Sequence, residues 1–194
     1  MPPVRELSPK YHETLHFVLT EPRRMIWLNI SALLPVLLAV LAMAAWWEVA
    51  APMRAAPSND SFSIPWWLGV LGALLIVLPL HELFHGLAIQ MVGHRARYGM
   101  KLNKGVLYAT ADQALFRRDE YLLVALTPLV AITLLGMALM LIVPDALVYY
   151  VAIGVIVNAG GAIGDLWASV VVRRFPAATL VRDEEDGFRV YTAV

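Results

Sequence analysis

The 194 residues contain no cysteine, which removes disulfides and thiolate metal sites from consideration. Charge is also scarce. Asp, Glu, Lys and Arg make up 15% of the chain, against 60% hydrophobic residues and a mean hydropathy of +0.67. An ordinary soluble domain carries roughly a quarter charged residues, so that class is excluded. No internal repeat occurs, and no polar stretch has room for a second globular unit. A single domain over 1–194 is therefore expected.

What is present is apolar and comes in long runs. About 20 consecutive apolar residues are needed to cross a bilayer, and four such runs can be drawn, at 26–47, 66–93, 121–143 and 146–172. The expected fold class is an all-α membrane protein of four transmembrane helices with a small cytoplasmic β-element. Arg23-Arg24 before the first run has the look of a signal peptide. That run is 22 residues long, however, whereas a signal-peptide core spans about 7–15.

The fifteen Lys and Arg are unevenly placed. Arg5, Lys10, Arg23 and Arg24 precede the first run, and Arg54 alone lies between the first and second. Arg95, Arg97, Lys101, Lys104, Arg117 and Arg118 lie between the second and third, and Arg173, Arg174, Arg182 and Arg189 follow the fourth. The positive-inside rule then puts both termini and the middle loop in the cytoplasm, fourteen against one. Trp46, Trp47, Trp66 and Trp67 bracket the outer loop as an interfacial belt does. Juxtamembrane position accounts for the basic clusters, so no nucleic-acid partner is expected.

Three polar segments read as extended. Leu15, Phe17 and Leu19 alternate with Thr14, His16 and Val18. Residues 97–110 read as a hairpin around Asn103-Lys104-Gly105, and 179–183 with 188–192 as another, around an acidic turn ending at Asp186-Gly187. All three fall on the cytoplasmic side, where they can share one small sheet or remain unrelated loops.

The chemistry lies in a pattern that occurs twice: His81-Glu82-Leu83-Phe84-His85 and His12-Glu13-Thr14-Leu15-His16. On a helix, H-E-x-x-H sets two imidazoles one turn apart on one face, where both can ligate zinc, and the intervening Glu can take a proton from water. His12 and His16 sit among residues of period two, and a strand would part them by about 13 Å; they read as surface residues. His81 and His85 lie in an apolar run, where an ionisable residue costs several kcal/mol and is functional by default. His94, just past that run, reads as an interfacial polar residue.

Within the four runs the Asp, Glu, His, Lys and Arg side chains are His81, Glu82, His85 and Asp165. The second and fourth runs traverse in the same direction. His85 lies ten residues before Arg95, and Asp165 eight before Arg173, so at 1.5 Å per residue they sit at similar height. Asn158, Gly161, Ala162 and Asp165 follow at i, i+3, i+4 and i+7, one face of a continuous helix. Gly160 and Gly164 form a small-residue packing seam. Pro79 and Pro128 interrupt the second and third runs, each freeing a backbone carbonyl that suits a water-filled pocket.

H-E-x-x-H in one apolar helix, with Asn158 and Gly164-Asp165 in a later one, resembles the site-2 protease class of intramembrane metalloproteases. The chain is more closely similar to small four-span bacterial membrane proteins grouped as zincin peptidases. The stretches Gly105-Val-Leu-Tyr-Ala-Thr110, Tyr121-Leu-Leu-Val-Ala-Leu-Thr-Pro128 and the 183–191 tail are similar as well. The resemblance implies Zn2+ held by His81, His85 and Asp165, with Glu82 as catalytic base and Asn158 as an aid to the reacting carbonyl. It also implies the bacterial inner membrane as location and a membrane protein or peptide as substrate. Unlike the larger proteases, the chain has Ile163-Gly164-Asp165-Leu166 without their flanking proline-rich stretch, and it holds no PDZ or nucleotide-sensing domain.

Two other readings belong to different classes. One is a silent metal-binding scaffold that recognises membrane helices without cutting them. The other, a metal carrier, would need polar groups along a route through the bilayer, whereas all four here cluster at one depth.

Overall fold

In the computed structural model, residues 4, 6–19, 21–54, 64–101, 106–111, 114–184 and 187–193 are described. The chain runs β1 (Tyr11–Val18), α1 (Pro22–Ser31), α2 (Leu33–Ala50), a single 3-10 turn (Ala51–Met53), α3 (Trp66–Met91), β2 (Arg97–Lys101) and β3 (Val106–Thr110). It continues with β4 (Leu115–Arg117), α4 (Arg118–Ile142), α5 (Asp145–Gly161), α6 (Ile163–Val172), β5 (Leu180–Glu184) and β6 (Gly187–Ala193). Among the described residues three helical stretches, Pro22–Met53, Trp66–Met91 and Arg118–Ile142, are long and apolar enough to cross a membrane. α5 and α6 meet that test only as a pair, bent by 44°.

Local sequence explains the breaks. Pro35 has no N–H to offer the Ser31 carbonyl, and the first stretch divides at Ala32 into α1 and α2. α3 ends where Gly93 takes φ 89°, a left-handed conformation that favours glycine. Pro144 separates α4 from α5.

The fourth apolar run departs from the single helix expected over 146–172. Glycines at 160, 161 and 164 weaken it, and Ala162 turns the chain between α5 and α6. The intervening bonds survive the turn: Ala162 N–H donates to the Asn158 carbonyl at 2.9 Å, and Leu166 N–H to the Ala162 carbonyl at 3.0 Å. Asn158 and Asp165 therefore lie on two helices, not on one straight face.

The extended segments also assort differently from a single shared sheet. β1 and the C-terminal hairpin do join, in a four-stranded antiparallel sheet of order β1-β6-β5-β4. The middle-loop hairpin, β2-β3, stands apart as a two-stranded sheet. The fourth place goes to β4, three residues with no alternation to announce them. The turn at 103–105 and the acidic residues 185–186 fall outside the described residues, as do residues 55–63.

One face of the larger sheet packs on the helices. Phe17, Phe116, Val181, Phe188 and Val190 meet Ala88 and Ile89 of α3, Tyr121 and Val124 of α4, and Ala168 and Val172 of α6. Phe17 stacks on Phe188 with ring centroids 5.1 Å apart. Full burial of each large apolar side chain is worth about 1.5–3 kcal/mol, so this cluster fixes the sheet against the end of the bundle that carries the site. At the other end, Arg54 is the clamp. Its guanidinium donates to the carbonyls of Met140 and Val143 and pairs with Asp145 at 2.5 Å, which covers the open C-terminus of α4.

Candidate metal centre

His81 and His85 are one turn apart on α3, and their rings lie 4.8 Å apart, edge to face. α6 brings Asp165 to them. Its Oδ2 is 3.2 Å from His81 Nε2 and 3.4 Å from His85 Nε2. One ligand atom from each of the three residues lies within 4.8 Å of the others. Both imidazole side chains are 13% exposed and the Asp165 side chain 24%. The three candidate ligands named from sequence are therefore together.

The opposite ring nitrogens are also engaged. His85 Nδ1 lies 3.0 Å from the Val124 carbonyl, which can only accept. His81 Nδ1 lies 2.9 Å from Asn158 Oδ1, while Asn158 Nδ2 donates to the Pro128 carbonyl at 3.3 Å. That second bond fixes which end of the amide faces His81, so Nδ1 is the donor in both rings. In the neutral rings each Nε2 then carries a lone pair, aimed at a carboxylate oxygen. Three acceptors pointing at one another repel unless a proton or a metal ion lies among them, and two imidazoles with a carboxylate are a donor set that suits zinc.

Asn158 is thus not where a carbonyl aid would stand. It is 2% exposed, lies behind His81, and has both polar atoms committed. Glu82 is better placed for contact with a substrate. It lines the same cavity as the two histidines, and its Oε2 accepts the Ala109 N–H at 2.7 Å.

The cavity measures about 260 Å³. α3, α4 and α6 wall it on one side; β3 and the end of β5 close the other. Gly161 and Gly164 both line it. The space where a Gly161 Cβ would stand is empty, so this glycine opens the cavity and spaces no neighbouring helix. The β2-β3 hairpin is seated at two further points. The Tyr98 ring lies against Gly86, where any Cβ would collide with it, and Thr110 hydrogen-bonds Asp183.

Asp183, Thr110 and Tyr121 are cavity residues that the sequence did not single out. Burial pushes the Asp183 carboxyl up to about 7; Asp165 and Glu184 add to the rise, and His85 and the Thr110 bond oppose it. In sequence Asp183 ends the extended segment 179–183 beside an acidic turn, and nothing in that pattern says which face it takes; the sheet turns it inward.

The second H-E-x-x-H copy lies in β1, in the extended form its period-two neighbours predict. His16 pairs with Glu184 at 3.3 Å, Glu184 with Arg189 at 2.6 Å, and Arg189 with Glu13 at 2.9 Å. His12 Nε2 is 3.5 Å from Thr192 Oγ1. The copy belongs to a surface ion-pair network. His94 packs edge to face on Phe116 at 4.7 Å, and burial lowers its pKa.

An H-E-x-x-H helix joined by a carboxylate from a distant helix defines a candidate metalloenzyme centre of the zincin kind. Residues 74–180 match a protein family described as "Putative zincin peptidase". That match covers more than half of the chain, which belongs to this family and so to the metallopeptidases by class. It includes His81, Glu82, His85, Asn158 and Asp165 and leaves Asp183 outside. Comparison with curated proteins and with solved structures gives no match.

Proposed function

We propose that the protein is a zinc-dependent intramembrane peptidase, a four-span relative of the site-2 proteases, that cleaves membrane-associated or transmembrane segments near the cytoplasmic face. The observation that carries this reading is the convergence of His81, His85 and Asp165, with Glu82 beside them, within helices apolar enough to cross a bilayer. Isolated ionisable groups are costly there and are retained for a purpose. α1 with α2 serves as one span, α3 and α4 as two more, and the bent α5–α6 pair as the fourth. The fourteen-to-one distribution of Lys and Arg favours both termini and 94–120 on the cytoplasmic side of the bacterial inner membrane. The sheet lies at that end, as one domain with the helices.

Zinc, when bound, supplies Lewis acidity that polarises a carbonyl and acidifies water. The chain does the rest. His81 and His85 would hold the ion through Nε2 and Asp165 through a carboxylate oxygen. Glu82 takes the proton of the attacking water on its carboxylate and passes it to the leaving amine. Asn158 acts on the His81 ring and not on the carbonyl. A helix hides its own carbonyls, so the scissile segment must unwind, and the outer edge of β3 offers an extended partner by β-augmentation.

Membrane peptidomics of cells carrying either the wild type or Glu82→Gln tests this. Peptides ending in the cytoplasmic half of a membrane segment should accumulate with the wild type alone. Identical peptidomes, with zinc present in both proteins, would leave the silent scaffold as the reading.

A further inference from the structure

Proline at 128 leaves a helical carbonyl without its partner, and that carbonyl is the one His85 uses. In α4 the N–H of residue 128 would ordinarily bond the carbonyl four residues earlier, at Val124. Pro128 has none to give. Val124 instead accepts from His85 Nδ1 at 3.0 Å. The carbonyl of Pro128 itself accepts from Asn158 Nδ2 at 3.3 Å, and the Oδ1 of that amide accepts from His81 Nδ1 at 2.9 Å. Pro128 and Asn158 are both almost wholly buried. One turn of α4, which contributes no ligand, therefore contacts one histidine directly and the other through a single amide.

We infer that Pro128 and Asn158 are positioning residues for the metal centre: together they fix both imidazoles as Nδ1–H tautomers and aim both Nε2 atoms at the ion. This rests on the reading of His81, His85 and Asp165 as ligands. A ligating histidine is commonly oriented by an acceptor at its other nitrogen, and loss of such an acceptor typically costs about 10–100-fold in metal affinity. Here the acceptor for His85 exists because a helix bond was removed, which ties a proline in one helix to the ligand geometry of another. The packing permits no slack, since Asn158 is 2% exposed and cannot turn to water for other partners.

Helix stability and metal affinity should consequently move apart. Pro128→Ala restores an N–H that competes with His85 for the Val124 carbonyl, and it replaces a helix breaker with the best helix former. In purified full-length protein the metal-free variant should unfold at the same temperature as wild type or higher. Its zinc affinity, measured by competition with a chromophoric chelator, should fall about 10–100-fold. The electronic spectrum of the cobalt-loaded protein should change with it. Asn158→Leu should lose affinity similarly, whereas Asn158→Asp, which keeps an oxygen before His81, should bind within a few-fold of wild type even where the buried charge lowers its melting temperature. A merely structural role predicts that affinity follows stability through all three variants, and that pattern would overturn the inference. So would wild-type affinity in Pro128→Ala and Asn158→Leu while His85→Ala binds no zinc; this leaves the metal site standing. A wild type that binds no zinc would overturn both the site and the inference.

Discussion

Ala109 donates its backbone N–H to Glu82 Oε2 at 2.7 Å, so the edge of the β2-β3 hairpin rests on the carboxylate that the zincin reading makes the base. The contact is local to the hairpin, whose paired strands hold Ala109 opposite Tyr98. It also sets a constraint: a substrate strand laid along β3 must share or displace this bond. Glu82 follows His81 directly, about 100° further around α3, so it can reach a reacting water without being a ligand itself.

Glu82→Gln separates chemistry from structure at this contact. The amide oxygen still accepts from Ala109, so the fold and bound zinc should be kept, with stability within about 1 kcal/mol of wild type. The amide cannot take a proton, and cleavage should fall by about 10²–10⁴. Substrate should stay bound and co-purify. Equal cleavage by wild type and variant would exclude Glu82 as the base.

The two H-E-x-x-H copies make opposite predictions for metal content. His81→Ala removes one of the three candidate ligands and should strip most zinc from the purified protein. His12→Ala loosens only a 3.5 Å contact to Thr192 in β1 and should leave zinc near the wild-type level. Elemental analysis of both variants decides, and zinc lost from the second alone would move the metal site to β1.

The parts of the site that could be read from sequence are those governed by spacing and exclusion. The four-position step from His81 to His85 means one helical turn, and Asp165 was the remaining carboxylate within an apolar run. Asn158 was legible as a neighbour of the site but not as the partner of His81, because the bend at Ala162 changes what it faces and hydropathy carries no information about bends. Pro128 signalled a free carbonyl, while its recipient, His85, depends on how α3 and α4 pack. Asp183 was hidden because it ends a strand beside an acidic turn, where the pattern does not say which face is covered, and burial by a sheet assembled from both ends of the chain is a long-range event. β1 with β6, whose ends lie at Tyr11 and Ala193, is the clearest instance.

Topology can be tested without background, because the chain has no cysteine of its own. Single cysteines at Ser58 and Asn103, both outside the described residues, flank opposite ends of the apolar α3. A membrane-impermeant thiol reagent applied to intact spheroplasts should label position 58, and position 103 only after the membrane is opened. Equal labelling of both from outside would contradict the positive-inside assignment and the cytoplasmic placement of the site.

Asp183 predicts a pH dependence of stability whose sign follows from its burial. Its carboxyl is pushed from 3.8 up to about 7 in the folded protein. Between about pH 4 and 7 the folded state therefore retains a proton that the unfolded chain has released, and its stability falls as pH rises through that window. Above pH 7 both states are ionised and the penalty is constant. Asp183→Asn removes the charge and can still hydrogen-bond Thr110, so it should match wild type near pH 4. It should become progressively more stable than wild type up to about pH 7, and hold that margin at pH 8. Thermal unfolding of the two metal-free proteins at pH 4, 6 and 8 measures the difference directly. Parallel curves would show that Asp183 faces water, and a margin that shrinks with pH would show that an unrecognised cation pairs with it. A bound divalent ion beside Asp165 would favour the ionised form, so zinc should narrow the margin at pH 8, an outcome that links the buried acid of the sheet to the three candidate ligands of the helices.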